Sequence, residues 1–140
     1  NVRMGDPECQ VLMMRLETDL FKIIDHAIKN KMSSLKIKWS KKKSITNVLC
    51  AKGYPLDYIK DSEIKNLLNI KLDKNSQIFH AGTYKKNNKI FSNGGRVLSI
   101  TSLSKILIDA RKKNIDIIHK INWKDGFFRK DIGWRLINKK

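Results

Sequence analysis

Cysteine is nearly absent from this chain. Its two copies, Cys9 and Cys50, are too few and too far apart for a disulfide framework or a zinc site, and read as two reduced thiols of a cytoplasmic protein. The three histidines, His26, His80 and His119, have no metal-ligand spacing with either cysteine. No stretch of about 18 apolar residues occurs, which argues against a membrane span. An initiator methionine and a signal-peptide pattern are both missing. Asn1 leads at once into a motif-like segment, the pattern expected of a truncated chain. There is no internal repeat and no low-complexity linker. What remains is 140 residues, 41% of them hydrophobic, enough for one domain with a real core.

Acidic residues are also few. Against 30 Lys and Arg stand 13 Asp and Glu, giving a formal charge of +17 and a pI near 10.0. Such a balance first suggests a nucleic-acid partner. Yet the cations are 24 Lys and only 6 Arg, and Arg is the residue suited to bidentate phosphate and base recognition. Lys, Ile and Asn together make 55 of the 140 residues, and all three use A/T-rich codons. Two explanations therefore stand: compositional drift in an A/T-biased genome, or a selected polyanion site. The one dense cluster, Lys41-Lys42-Lys43, reads as a solvated loop.

The hydrophobic pattern predicts a helix over residues 6–30, with Asp6 as N-cap, Pro7 at the first helical position and Glu8 complementing the helix dipole. Val11, Leu12, Leu16, Leu20, Ile23, Ile24, Ala27 and Ile28 recur at helical spacing. Alternation from Leu35 to Trp39 predicts a strand, and a second runs from Ile45 to Ala51, ended by Gly53-Tyr54-Pro55. Residues 57–76 are polar, with a short strand or helical turn at Ile64, Leu67 and Leu68. Strands follow at Gln77–Ala81, Ile90–Phe91 and Arg96–Ile100, with Asn87-Asn88 as a hairpin turn. Ser102 is expected to cap a long C-terminal helix carrying Leu103 to Ile121. The aromatic tail, with Trp123, Phe127, Phe128 and Trp134, should pack down. Helices segregated from a run of strands predict an α+β fold with a mostly antiparallel sheet.

Chemistry concentrates in the first ten residues. With Asn1 to Arg3 extended, both side chains face one ligand. An amide oxygen suits Mg²⁺, and a nearby Arg suits a phosphate that the metal bridges. Asp6-Pro7-Glu8 also fits a plain helix start, and the two readings are compatible. Asn93-Gly94-Gly95-Arg96 is a plausible anion site, with small residues allowing close approach and Arg96 offering a fork. It is equally a hairpin turn followed by an edge arginine. His80 fits either a proton shuttle or a satisfied strand histidine.

Asn-x-Arg-x-Gly-Asp-Pro-Glu-x-Gln over residues 1–10 is similar to the signature of glycinamide ribonucleotide synthetases. Gly53-Tyr54-Pro55, His80-Ala-Gly-Thr83, Asn93-Gly-Gly-Arg-Val-Leu98 and Phe128-Arg-Lys-Asp-Ile-Gly-Trp-Arg135 resemble further motifs of that family, in order and at the right intervals. Met4 stands in place of the usual Phe or Leu, and Met14 where Pro is common. The resemblance implies that residues 1–30 end an ATP-grasp domain, as one helix, and that residues 31–140 are the C-terminal domain. It implies a ligase joining glycine to 5-phosphoribosylamine at the expense of ATP, in purine synthesis, through a glycyl phosphate. Asn1 would hold Mg²⁺ or Mn²⁺ with a Glu that is not in the sequence, and Arg3 would lie near the acyl phosphate. Asp6, Glu8, His80, Gly94, Gly95 and Arg96 would meet substrate. The implied enzyme is cytoplasmic and monomeric at full length, and this portion alone is inactive. A basic RNA-binding module is the competing reading, weakened by the scarcity of arginine and of exposed aromatic triplets.

Overall fold

The computed structural model describes residues 2–137; Asn1, the expected metal ligand, lies outside them. Every strand pairing is antiparallel. A four-stranded sheet has the order β3-β6-β1-β7, built from β1 (Lys43–Ala51), β3 (Ser76–His80), β6 (Arg96–Ser104) and β7 (Gly126–Phe128). A smaller sheet, β2-β5-β4, comprises β2 (Glu63–Ile64), β4 (Thr83–Lys86) and β5 (Lys89–Ser92). The α+β expectation with a mostly antiparallel sheet therefore holds, divided between two sheets.

The central ladder joins β1 to β6 from Lys43↔Ser104 to Leu49↔Leu98, then shifts so that Cys50 faces Arg96. Val97 is the extra residue at this bulge. From Val97 to Leu103 every residue of β6 is buried, since β1 and β3 flank it and helices lie over the sheet. The helix α3 (Leu107–Lys120) packs on β6 and β1. Leu49, Ala51, Leu98 and Ile100 join Ile117, Ile118, Ile121 and Trp123 in the core. One polar group crosses it. Asn114, fully buried, donates from Nδ2 to the Ile45 carbonyl at 3.0 Å and to Asn47 Oδ1 at 3.1 Å. Asn47 Nδ2 in turn donates to the Arg129 carbonyl at 3.3 Å, tying the tail to the sheet.

Several expected elements take different forms. The single helix over 6–30 is two, α1 (Glu8–Arg15) and α2 (Leu20–Ile28). Between them Leu16 bridges Trp39, and Asp19 Oδ1 accepts from the Lys22 amide at 3.1 Å as the cap of α2. Continuous periodicity concealed a capping residue that restarts the helix. Pro7 takes the cap position of α1, and Asp6 caps nothing. Its carboxylate accepts from Gln10 and pairs with Arg96, a charged partner that sequence spacing cannot reveal. Residues 35–39 make no strand beyond the Leu16–Trp39 bridge, because alternation reports a half-buried face and not the presence of a pairing edge. Ser102 does not cap a helix. It lies within β6, its hydroxyl bonded to Ser76 Oγ at 3.0 Å, and α3 begins only at Leu107. Nor is α3 terminal, since β7 and α4 (Trp134–Ile137) follow it. The Asn87-Asn88 turn is as expected, with φ of 49° and 57° between Lys86 and Lys89, which face each other across the hairpin.

Replacing Asn114 by Ala should remove both donors and strand Asn47 Oδ1 inside the core. A loss of about 1–3 kcal/mol in unfolding free energy is expected, measured by urea titration. An unchanged midpoint would mean that Asn47 re-pairs without it.

Candidate active-site edge

Four of the five sequence motifs meet at one end of the large sheet, and hydrogen bonds explain why. Ala81 and Gly82 donate to the carbonyls of Val97 and Arg96 at 3.0 and 3.1 Å. Asn93 donates to the Gly82 carbonyl at 2.8 Å, and Ala51 to the Gly95 carbonyl at 2.9 Å. The His80-Ala-Gly-Thr83 turn and the Asn93-Gly-Gly-Arg96 turn are thus laced together, and both abut the end of β1. Their glycines are required by proximity. A Cβ on Gly82 would stand 2.7 Å from Gly94 Cα, and one on Gly95 would stand 2.1 Å from Tyr54 Cδ2. The ring of the Gly53-Tyr54-Pro55 segment lies against Gly95 for this reason. His80 is exposed, and its Nδ1 shares a hydrogen bond with Thr83 Oγ1 at 2.9 Å.

The N-terminal signature arrives at this edge from outside the sheet. Arg96 Nη1 donates to the Asp6 carbonyl at 3.1 Å, and Nη2 stands 3.3 Å from Asp6 Oδ2. Both side chains keep more than a third of their surface exposed, 44% and 36%, so the pair is modest in energy. Its importance is positional: it joins segments 90 residues apart. Glu8 is exposed and accepts from the Gly5 amide at 3.0 Å. Arg3 is exposed. Asp6 and Arg96 are therefore brought into direct contact, Gly94 and Gly95 support the turn that presents Arg96, and His80 lies in the turn alongside. Among the described residues no group of three His, Cys, Asp or Glu side chains is placed to hold a metal ion.

Beside Arg96 opens a cleft of about 650 Å³, within the usual size range of small-molecule sites. It lies on the face of β1 that carries Ser44, Thr46, Val48 and Cys50, with Pro7 and Val11 at one side and Phe127, Phe128, Arg129 and Ile132 at the other. The tail motif thus joins the N-terminal signature, Tyr54-Pro55 and Arg96 around one concavity, while the His80–Thr83 turn does not line it. Burial pushes the Cys50 thiol above its ordinary range, with the charge of Arg96 pulling it partly back. Cys50 and Arg129 were not singled out by sequence. Arg129 could have been, since it sits within the tail motif and its guanidinium is held by Asp131 two residues on.

The fold and this edge define a small antiparallel α+β domain that gathers several glycine-bearing turns at one end of its larger sheet. The family described as phosphoribosylglycinamide synthetase, C domain, matches residues 44–135, and the chain belongs to it. A chloroplastic phosphoribosylamine–glycine ligase of Arabidopsis thaliana is 45% identical over 100% of this chain and 27% of its own length. The Brucella melitensis phosphoribosylamine–glycine ligase is 38% identical over 99% of the chain and 33% of its own. A solved phosphoribosylamine–glycine ligase of Thermotoga maritima superposes with a TM-score of 0.69 at 28% identity, covering 94% of this chain and 32% of that one. The chain spans about a third of the curated relatives it matches, or less. Nothing in these relatives supports the RNA-binding reading.

Gly95→Ala should displace Tyr54 and lower the melting temperature, because overpacking costs about 1–3 kcal/mol. Tyr54→Ala in the same chain should recover part of that loss. If the two changes add without compensation, the Gly95–Tyr54 contact is not what requires glycine here.

Proposed function

We propose that this chain is the part of an ATP-dependent phosphoribosylamine–glycine ligase that closes over the ribosylamine substrate. In the reaction, ATP phosphorylates the glycine carboxylate to glycyl phosphate. The amine of 5-phosphoribosylamine attacks that carbonyl, phosphate leaves, and an amide bond forms. On this reading the work is positioning and charge neutralisation. Residues 1–30 complete an ATP-grasp, nucleotide-binding domain and residues 31–140 form the C-terminal domain. The enzyme is a cytoplasmic monomer, although the Arabidopsis relative is chloroplastic; no helix among the described residues is long and apolar enough to cross a membrane.

The observation that carries the proposal is the Arg96–Asp6 clasp, which brings the N-terminal signature to the glycine-rich turn. Arg96 receives the ribosyl phosphate. That dianion, more highly charged than a carboxylate, displaces Asp6 from the same fork. Asp6, once released, and Glu8 face the ribosylamine, His80 borders the phosphate pocket, and Gly94 and Gly95 keep the turn close enough for their backbone to approach the ligand. Arg3 lies toward the acyl phosphate. The described residues do not by themselves make a site for Mg²⁺ or Mn²⁺, so a magnesium or manganese ion bound with ATP would draw on Asn1 and on residues beyond this chain.

The 140-residue chain alone should show no phosphate release that depends on ATP, glycine and phosphoribosylamine together. In a complete ligase carrying it, Arg96→Ala should raise the phosphoribosylamine KM roughly 10- to 150-fold, the equivalent of about 1.5–3 kcal/mol, with little change for glycine or ATP. Asp6→Asn, which frees the fork without removing it, should leave that KM unchanged or lower it. Steady-state kinetics with each substrate varied in turn, beside thermal melting, checks all three. An unchanged ribosylamine KM with a collapsed melting point in Arg96→Ala would make Arg96 structural.

A further inference from the structure

Arg96 carries a long side chain, 44% of it open to solvent. A guanidinium that must be ordered at the moment of binding gives up part of its contact energy in lost rotamer freedom. Whatever fixes its direction in advance is therefore part of the site. The backbone beneath it is tied by two hydrogen bonds: Ala51 donates to the Gly95 carbonyl at 2.9 Å and Gly82 to the Arg96 carbonyl at 3.1 Å. Bonds of this sheet type act in the plane of the sheet and resist movement across it only weakly.

The third contact is a ring. Gly95 lies so near Tyr54 that a Cβ there would stand 2.1 Å from Cδ2, 2.7 Å from Cε2 and 3.1 Å from Cγ. The ring is thus laid against the backbone that immediately precedes Arg96, and it lines the cleft beside that arginine. Tyr54 is itself anchored. Its amide donates to the Ala51 carbonyl at 3.1 Å. Gly53, at φ 99°, passes so close to Asp57 that a Cβ would stand 1.9 Å from the Asp57 carbonyl oxygen, a turn that other residue types make only under strain. The Tyr54 ring meets Tyr58 edge to face, with centroids 6.4 Å apart at 62°, and Tyr58 packs on the core. Tyr54 is only partly buried and stands outside the core cluster. A line of contacts therefore runs from the core through Tyr58 and Tyr54 to Gly95 and Arg96.

We propose that Tyr54 is a positioning residue for the reaction: its ring is the fixed surface that sets the direction in which the Gly94-Gly95-Arg96 turn presents its guanidinium to a phosphate monoester. The proposal rests on the reading that Arg96 receives the ribosyl phosphate. It adds that the fork works only when its direction is preset, and it names the group that presets it. Ring carbons make the contact, so phenylalanine serves as well as tyrosine, and a flexible aliphatic side chain does not.

Steady-state kinetics of a full-length ligase carrying this chain, with each substrate varied in turn, tests the proposal. Tyr54→Leu should raise the phosphoribosylamine KM roughly 5- to 30-fold, less than Arg96→Ala does, with the glycine and ATP constants in place. Tyr54→Phe should restore most of the loss. Added to Arg96→Ala, Tyr54→Leu should raise that KM no further, because the group it positions is gone. A merely structural role predicts the opposite split, since partial unfolding lowers kcat and leaves KM alone. Should Tyr54→Leu fail to fold, Tyr54→Met takes its place in the same series. A second readout needs no substrate. In the 140-residue chain, the order parameter of the Arg96 Nε–H bond should fall in Tyr54→Leu and hold in Tyr54→Phe. If that order falls while Arg96→Ala leaves the KM untouched, the ring positions Arg96 and the phosphate reading is wrong. If Arg96→Ala raises the KM while Tyr54→Leu changes neither KM nor order, the proposal is overturned. An equal rise in KM from Tyr54→Leu with and without Arg96 overturns it too.

Discussion

Everything in this domain hangs on the pairing of β1 with β6. These two nine-residue strands lie at the centre of the sheet, and β6 is buried along nearly its whole length, so its backbone groups must all be satisfied by neighbours. That requirement sets the rest. β3 must close one side of β6, α3 must cover one face, and the Asn47–Asn114 contact must replace the water that two buried amides give up. The bulge at Val97 then turns the end of β6 so that Arg96 faces Cys50 and projects beyond the sheet.

The motif edge follows from this frame. Two links between the sheets, residues 81–82 and 93–95, pass so close that a Cβ on Gly82 would collide with the Gly94 backbone. The tight passage brings the start of β6 and the end of β3 together and leaves Arg96 free to reach across to Asp6. A single exposed ion pair contributes little stability. As a tether it matters more, since it is the one charge-assisted contact between the N-terminal signature and the C-domain turn among the described residues.

The unburied stretch before Ile45 belongs to a different regime. Its helices obey local rules, with Asp19 capping α2 and Asn30, at φ 52°, ending it. The apolar residues of α1 pack partly against β1 and β6, whereas Leu20, Phe21, Ile24 and Ile28 on α2 stay exposed. A closed core from Ile45 onward thus stands beside an exposed apolar stripe on α2.

Much was legible from residues alone. The strand periodicity of 45–51, 77–81 and 96–100, the Asn87-Asn88 turn and the family membership of the chain all depend on local pattern or on motif order, which the sequence carries directly. Composition also sufficed to reject a disulfide or zinc scaffold. What the tertiary structure alone decided is which pattern finds a partner. Alternation at 35–39 met no edge to pair with. Ser102 had cap chemistry but found Ser76 across the ladder. Asp6 had cap chemistry but found the guanidinium of Arg96, 90 residues away, and a charged partner outcompetes a backbone amide. Side-chain chemistry is written in the sequence, but which of its possible partners wins depends on distances that exist only after the sheet has closed.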